Sequence, residues 1–246
     1  MNETLALQFT HRSDRSFSTA PISDDQLESI IEAAWHAPSS MNAQHVSLVV
    51  VRDAAKRARI AELAGGQPWI AEAPVFITVI VDFNKTSVGL QSVGATQHIH
   101  ESVDGFAAGA VDAGIALGNL MLAARSLGLG VVAIGGLRRN PQEMIDLLEL
   151  PALTYPIVGV AIGHIATPAQ PKPRLPLASF RHDERYHAEA IAPAIATYDK
   201  VLPEYWHSIG RADGLPWSAN LAKPYSQGFY RATKPVAARQ GFVQAQ

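Results

Sequence analysis

Leu27, Ile30, Ile31 and Ala34 recur at helical spacing behind a Ser23–Gln26 pair that has the form of a capping box. With Pro38 just beyond, the pattern predicts a helix from Asp24 to about His36. The β-branched run His45–Arg52 predicts a buried strand, and Pro74–Asp82 (PVFITVIVD) predicts a second, the strongest in the chain. Gly130–Gly135 and Tyr155–His164 supply two more strands. A short polar helix is expected from about Asp53 to Leu63, ending at Gly65-Gly66, and another from Pro141 to Leu148. Between them lies a long Ala/Gly-rich segment, about Val103 to Leu127, bland on every side. It predicts a buried central helix against which another helix packs closely. Ser87–Ser102 shows no period and is expected to be a loop or mobile insertion. Thr167–Pro176 must run extended, and Asp183–Glu204 predicts one or two helices broken at Pro193 and Pro203. Four strands among five or more helices, out of strict alternation, imply an α+β fold.

The 246 residues amount to one generous domain, or one domain with an extension. Hydrophobic residues make up 48% and can fill a core. Charged residues are only 17%, against about 25% in typical soluble domains, which points to surface buried against another chain. Lys plus Arg number 20 and Asp plus Glu 22, a balance that excludes a general polyanion or nucleic-acid binder. The charge is uneven: from Tyr205 onward Arg211, Lys223, Arg231, Lys234 and Arg239 face Asp213 alone. Such an arm is either solvated or closes over an anionic small molecule. The absence of cysteine excludes disulfides, thiolate catalysis and cysteine-ligated clusters. The segment after Met1 has no basic, then apolar, signal pattern, and the apolar stretch Phe106–Leu129 carries Asp112, Asn119 and Arg125. Both features predict a soluble cytoplasmic protein.

The glycines Gly128, Gly130, Gly135 and Gly136 suggest a dinucleotide turn, but the order is helix, glycine, strand, so the first of them read as a helix stop. His98, His100 and Glu101 lack a further pair at metal spacing and read as a solvated group, so no metal is expected. Ser39-Ser40 lacks the glycine elbow of a hydrolase nucleophile. More informative is His11-Arg12-Ser13-Asp14-Arg15-Ser16, which gathers two guanidiniums, an imidazole and two hydroxyls just before a helix. Those donors suit a phosphate monoester. Pro171-Lys172-Pro173-Arg174 adds a second cationic group on a stiff backbone.

Taken together, HRSDRSF (His11 to Phe17), APSSMNAQ (Ala37 to Gln44), GGQ (Gly65 to Gln67), SLGLGVVAIGGLR (Ser126 to Arg138) and KPRLP (Lys172 to Pro176) resemble, in order, the nitroreductase family of flavoenzymes. The nearest group is the bacterial oxygen-insensitive NADPH nitroreductases and NADPH–flavin oxidoreductases. The resemblance implies an α+β sandwich with a mainly antiparallel central sheet, paired as an intertwined homodimer with FMN at the interface. It divides the chain into an FMN-binding domain, 1–205, and a basic extension, 206–246, that packs on the dimer or active site. It assigns His11, Arg12, Ser13, Lys172 and Arg174 to the FMN phosphate and ribityl chain, with Asp14 in the same segment. Arg15 and Gln67 are assigned to the ring, Ile134, Gly135 and Gly136 to its flank, and Ser39 to the partner's flavin. Ser40, Arg138, Arg211, Arg231 and Lys234 are assigned to the substrate.

The implied chemistry is ping-pong. NADPH or NADH gives a hydride to the flavin, and a nitroaromatic, quinone or free flavin takes two electrons in the same pocket, with no separate catalytic side chain. A cation beside the ring favours its reduced form, and Arg15 is the candidate. An arginine-rich loop that grips the NADPH 2′-phosphate in close relatives is here Gly210–Trp217, with Arg211 its one basic residue, leaving the choice of nucleotide open. Ala133 stands where an aromatic is usual, and Gly94–Ser102 differs from the relatives. Two alternatives remain: a reductase that releases reduced flavin, and a non-enzymatic flavin carrier. Neither nucleic acid nor membrane is an expected partner.

Overall fold

The computed structural model describes residues 1–228 and 230–243. They form two compact units, one of Met1–Ala169 with the stretch from Tyr230, the other starting at Gln170. This division differs from a boundary at 205/206, across which a single helix runs. The expected extension 206–246 also includes residue 229 and residues 244–246, which lie outside the described residues.

The first unit is built on β1 (Val46–Val51), β2 (Val75–Asp82), β3 (Gly130–Ile134) and β4 (Thr154–Gly163), all antiparallel in the order β1-β2-β4-β3. β2 is buried along its whole length, which is why its sequence is a continuous apolar run rather than an alternating one. Phe76 joins one core with residues of α3 (Ala54–Leu63), α4 (Pro68–Glu72) and α7 (Pro141–Leu147). Val75 and Ile77 join another, with residues of α2 (Asp24–Trp35) and α6 (Val103–Ser126). The sheet is thus sandwiched between helices. α1 (Glu3–Phe9) precedes this layer, α5 (Asn84–Gln91) follows β2, and α10 (Thr233–Arg239) returns to the unit near the end of the chain. The second unit holds α8 (Ile191–Ser208) and α9 (Trp217–Ser226), with a core of Tyr198, Leu202 and Trp206.

α2 carries the expected capping box, both arms formed. α6 ends as expected at Gly128, whose φ of +77° suits glycine; Gly128 N donates to Arg125 O and Leu129 N to Ala124 O, a Schellman closure.

Three expectations are corrected. Ser87–Ser102 is not an irregular insertion: α5 covers its first part and a short 3-10 turn, Ile99–Glu101, its last. The Asp82 carboxylate, still within β2, accepts the Asn84 and Lys85 amides and so starts α5 from the last residue of the strand. Neither Pro193 nor Pro203 breaks α8; Pro193 lies in the first turn, where its missing N–H costs nothing, and Pro203 is accommodated inside. α6 is not buried on every side. It buries one stripe, Gly105, Gly109, Asp112, Ala113, Ala116, Leu120 and Ala124, while Val111 is 61% and Ile115 38% exposed. Small residues on the outer face had concealed that asymmetry. α6 is also, among the described residues, the one helix long and apolar enough to cross a membrane, and its buried stripe packs on the sheet.

Candidate active site

The edge of the sheet at β3 organises the candidate site. The Asp14 amide donates to Val131 O (3.0 Å), while Phe17 bridges Ile165 and Ser18 N donates to His164 O (2.9 Å), so the segment starts beside β3 and passes on to the continuation of β4. Because successive residues of a strand alternate direction, the outward groups of Val131 recur at Ala133, whose side chain is exposed. Asp14 itself is buried. Its Oδ1 accepts the Ala169 amide (3.1 Å) and lies 3.3 Å from Arg12 Nε, at ion-pair distance but out of line for a hydrogen bond. Asp14 therefore braces Arg12 from behind. Arg12 Nε is buried without a hydrogen-bond partner.

The start of this segment is tied down by Arg125 on α6, which donates to Leu7 O and to Thr10 O (3.0 Å). Burial lowers the Arg125 pKa, and the neighbouring Arg12 charge lowers it further. Sequence reading missed this role because a lone arginine in an apolar helix carries no local signature. Next along the segment, Arg15 lies over Trp69 (5.4 Å to the ring centroid) and donates to Ser13 O (3.3 Å). Desolvation lowers its pKa against the opposing pull of Asp14. Trp69 was also missed; it follows the GGQ motif by two residues, on α4. Gln67 Nε2 donates to Ala64 O (2.9 Å) and rests where Gly136 has no side chain.

Arg138 folds back over Gly135, towards the end of β3. Its Nη1 donates to Ile157 O, and its guanidinium lies 5.4 Å from the Tyr230 ring centroid. The Ile157 carbonyl is available because the register skips this residue between Val79↔Val158 and Ile80↔Pro156, a bulge at a proline that has no N–H to give the ladder. Arg231 follows Tyr230 directly, and Lys234 begins the next turn on α10.

Ser39 and Ser40 are elsewhere. They precede β1, the opposite edge of the sheet, about 14 Å from β3 by three interstrand spacings. Ser39 Oγ accepts the Gln44 amide (3.0 Å), and the Ser40 amide donates to both oxygens of Asp112 (3.1 and 3.3 Å). A cavity of about 290 Å³ lies beside this loop, lined by Trp35, Ser39, Gln44, Lys85 and Asp112 among others.

In the second unit, Lys172 and Arg174 sit on an irregular segment whose carbonyls accept from two tyrosines of α8. Tyr198 OH donates to Pro173 O (2.8 Å) and Tyr205 OH to Gln170 O (3.2 Å). Lys172 Nζ lies 4.8 Å and Arg211 Cζ 4.6 Å from the Trp206 ring centroid, so both cations rest on one indole. His98 is exposed and within 3.4 Å of Glu101, whereas His100 is buried, contrary to the solvated pair expected. Among the described residues no cluster of three His, Asp or Glu could hold a metal.

A four-stranded antiparallel sheet between helices, with a cationic segment beginning at β3 and a glycine turn just past that strand's end, frames the candidate site. The chain belongs to the nitroreductase family: the family's model matches residues 9–164, and the model of its C-terminal domain residues 172–245. It is 42% identical to a Bacillus subtilis FMN reductase [NAD(P)H], over 98% of both chains. It is 36% identical to an oxygen-insensitive NADPH nitroreductase of Salmonella typhimurium, over 85% of each. Among solved structures it is similar to B. megaterium NfrA2, with a TM-score of 0.97 at 36% identity over the whole of both chains.

Proposed function

We propose that this protein is an FMN-dependent NAD(P)H oxidoreductase that reduces nitroaromatics, quinones or flavins by two electrons. The observations that carry this reading are the cationic segment Arg12–Arg15, whose Asp14 amide bonds Val131 O on β3, and Gln67, which lies against Gly136 just past the end of that strand. The residues fit FMN: Arg12 Nε is a buried donor without a hydrogen-bond partner, and Ala133 on β3 is exposed with only a methyl group to stand in the way of a planar ring. His11, Arg12 and Ser13 are the proposed holders of the phosphate and ribityl chain, while Asp14 acts indirectly by bracing Arg12. Arg15 and Gln67 meet the ring. Bound there, FMN supplies the hydride acceptor for NAD(P)H and the two-electron donor for the second substrate. Arg138, Arg231 and Lys234 are the proposed acceptor contacts of this subunit, and Ser40 is the proposed contact from its partner.

A second copy of the chain completes the site. Val111 and Ile115 on α6 and Trp35 on α2 are exposed apolar side chains, and a homodimer would cover them. Because Ser39 lies a sheet's width from β3 in its own chain, it is the partner subunit's Ser39 that reaches the flavin. We place the enzyme in the cytoplasm.

Anaerobic titration of the FMN-loaded protein tests the reading. Bleaching of the visible flavin band at about one equivalent of NADPH per flavin, reversed by a nitroaromatic or quinone, is the expected result of a two-electron ping-pong scheme. A flavin that binds but bleaches with neither NADPH nor NADH would make the protein a carrier. A second reading, release of reduced FMN as product, is favoured by the name of the B. subtilis relative. Weak FMN retention with saturation by added flavin would select it.

Arg211 is the proposed reader of the NADPH 2′-phosphate. Its guanidinium is held on Trp206 and lies 4.0 Å from Asp213, so one exposed, partly neutralised cation is offered to the phosphate. Solvent screening keeps its worth small. Arg211→Ala is expected to raise KM for NADPH about fivefold and leave NADH nearly unchanged. Equal loss for both nucleotides would remove Arg211 from that role.

A further inference from the structure

The loop that carries Ser39 and Ser40 has an unusual backbone. Met41, Asn42 and Gln44 all have positive φ, at 52°, 55° and 54°, and Met41 is 98% exposed. Side chains of the loop itself therefore bury little that could hold this shape. Non-glycine residues persist in that region only where their surroundings over-determine it.

Besides bonds within the loop, Asn42 N to Ser39 O (3.1 Å) and Ala43 N to Ser40 O (2.9 Å), one carboxylate anchors it to the central helix. Asp112 is 3% exposed in the middle of α6, an otherwise apolar stripe. It accepts the Ser40 amide with both oxygens, at the start of the loop, and its Oδ2 lies 3.0 Å from His45 Nδ1, at the loop's end. That contact puts the ring proton on Nδ1. His45 is itself fixed: it is buried, stacks on Phe83 at 4.3 Å between centroids, and its carbonyl accepts the Asp82 amide (2.7 Å). Asp112 thus pins both ends of residues 40–45 to the central helix, while Ser39 Oγ and the Gln44 amide close the loop across its neck.

We infer that Asp112, with His45, is a positioning residue of the active site. It does not touch the cofactor; it presents the loop of Ser39 and Ser40 from one subunit to the flavin of the other. The inference rests on the proposed flavin reading. It also explains why a carboxylate is kept in the helix stripe that faces the sheet, where burial without partners would be costly. Asp112 ties the position of α6, the proposed dimer helix, to the loop that completes the neighbouring site.

The test uses the full-length holoenzyme with Asp112→Asn, which keeps the volume but cannot accept from both the Ser40 amide and His45 Nδ1–H in the same geometry. His45→Phe keeps the stacked ring without the donor. Both variants are expected to weaken FMN binding about tenfold and raise the acceptor KM, with kcat at saturating FMN within about twofold of wild type. His45→Asn, whose amide N–H stands near the position of Nδ1–H, is expected to recover most of the loss. In a double-mutant cycle with Ser39→Ala the losses should not add, because both act through one loop. Wild-type FMN affinity and KM in Asp112→Asn, or full additivity with Ser39→Ala, would overturn the assignment. The absence of any saturable FMN binding by the wild-type protein would instead overturn the flavin reading itself.

Discussion

Gly136→Ala is expected to weaken FMN binding about 100-fold and to lower stability by about 1–3 kcal/mol. A methyl group at Gly136 would stand 2.3 Å from Gln67 Nε2 and 2.4 Å from Ala64 O. The carbonyl cannot retreat, because Ala64 ends α3, whose Ile60, Ala61 and Leu63 are all buried in the core. Gln67 must therefore leave its hydrogen bond to Ala64 O and its place beside the glycine turn, or the end of β3 must move outward. Either response disturbs the edge on which the flavin is proposed to lie. Gly135→Ala supplies the contrast: its new carbon would meet only the Arg138 Nη2 at 3.2 Å, the movable tip of a long side chain. In denaturant unfolding without flavin, Gly135→Ala should thus be milder than Gly136→Ala. Equal stability of the two, together with an unchanged FMN Kd for Gly136→Ala, would show that Gln67 is not fixed by this glycine.

The strands were legible because burial on both faces leaves a plain chemical trace: Val75–Asp82 reads as one apolar run, and it is the buried strand next to both β1 and β4. α2 was legible down to its cap, because Ser23 and Gln26 satisfy the orphan amides locally. α5 was not, because Asp82 supplies its start from the end of a strand, and its own residues have weak periodicity. The outer face of α6 was misread for a related reason: Gly114, Ile115 and Gly118 look the same in sequence whether they face a core or solvent. Within the site, the cationic segment His11–Arg15 stood out because its chemistry is contiguous in sequence. Trp69 and Arg125 did not stand out, nor, in the second unit, did Tyr198 and Trp206, since each acts through contacts that exist only after folding. The bulge that frees Ile157 O for Arg138 was similarly hidden. Pro156 marked the place, but only the pairing register reveals which carbonyl is released.

Arg15→Ala is expected to lower the flavin midpoint potential by roughly 60 mV, the two-electron equivalent of about 2.8 kcal/mol, near the upper end for a hydrogen bond to a charged group. The sign follows from charge. Reduction adds negative charge to the ring, so a cation beside it favours the reduced form, and removing that cation makes the flavin a weaker oxidant. Arg15 suits the role because Trp69 supports its guanidinium and Ser13 O accepts from its Nη1, which limits the freedom lost on binding. Burial disfavours its charge, yet Asp14 opposes that effect, and a guanidinium so placed remains protonated across the working pH range. The same lost charge should slow hydride uptake from NAD(P)H about tenfold or more in single-turnover mixing, since part of the charge develops in the transition state. Arg15→Lys keeps the charge but not the planar contact with Trp69, and should recover most of the potential while regaining less of the rate. An unchanged potential in Arg15→Ala would take Arg15 away from the ring and leave Gln67 as the proposed ring contact of this edge.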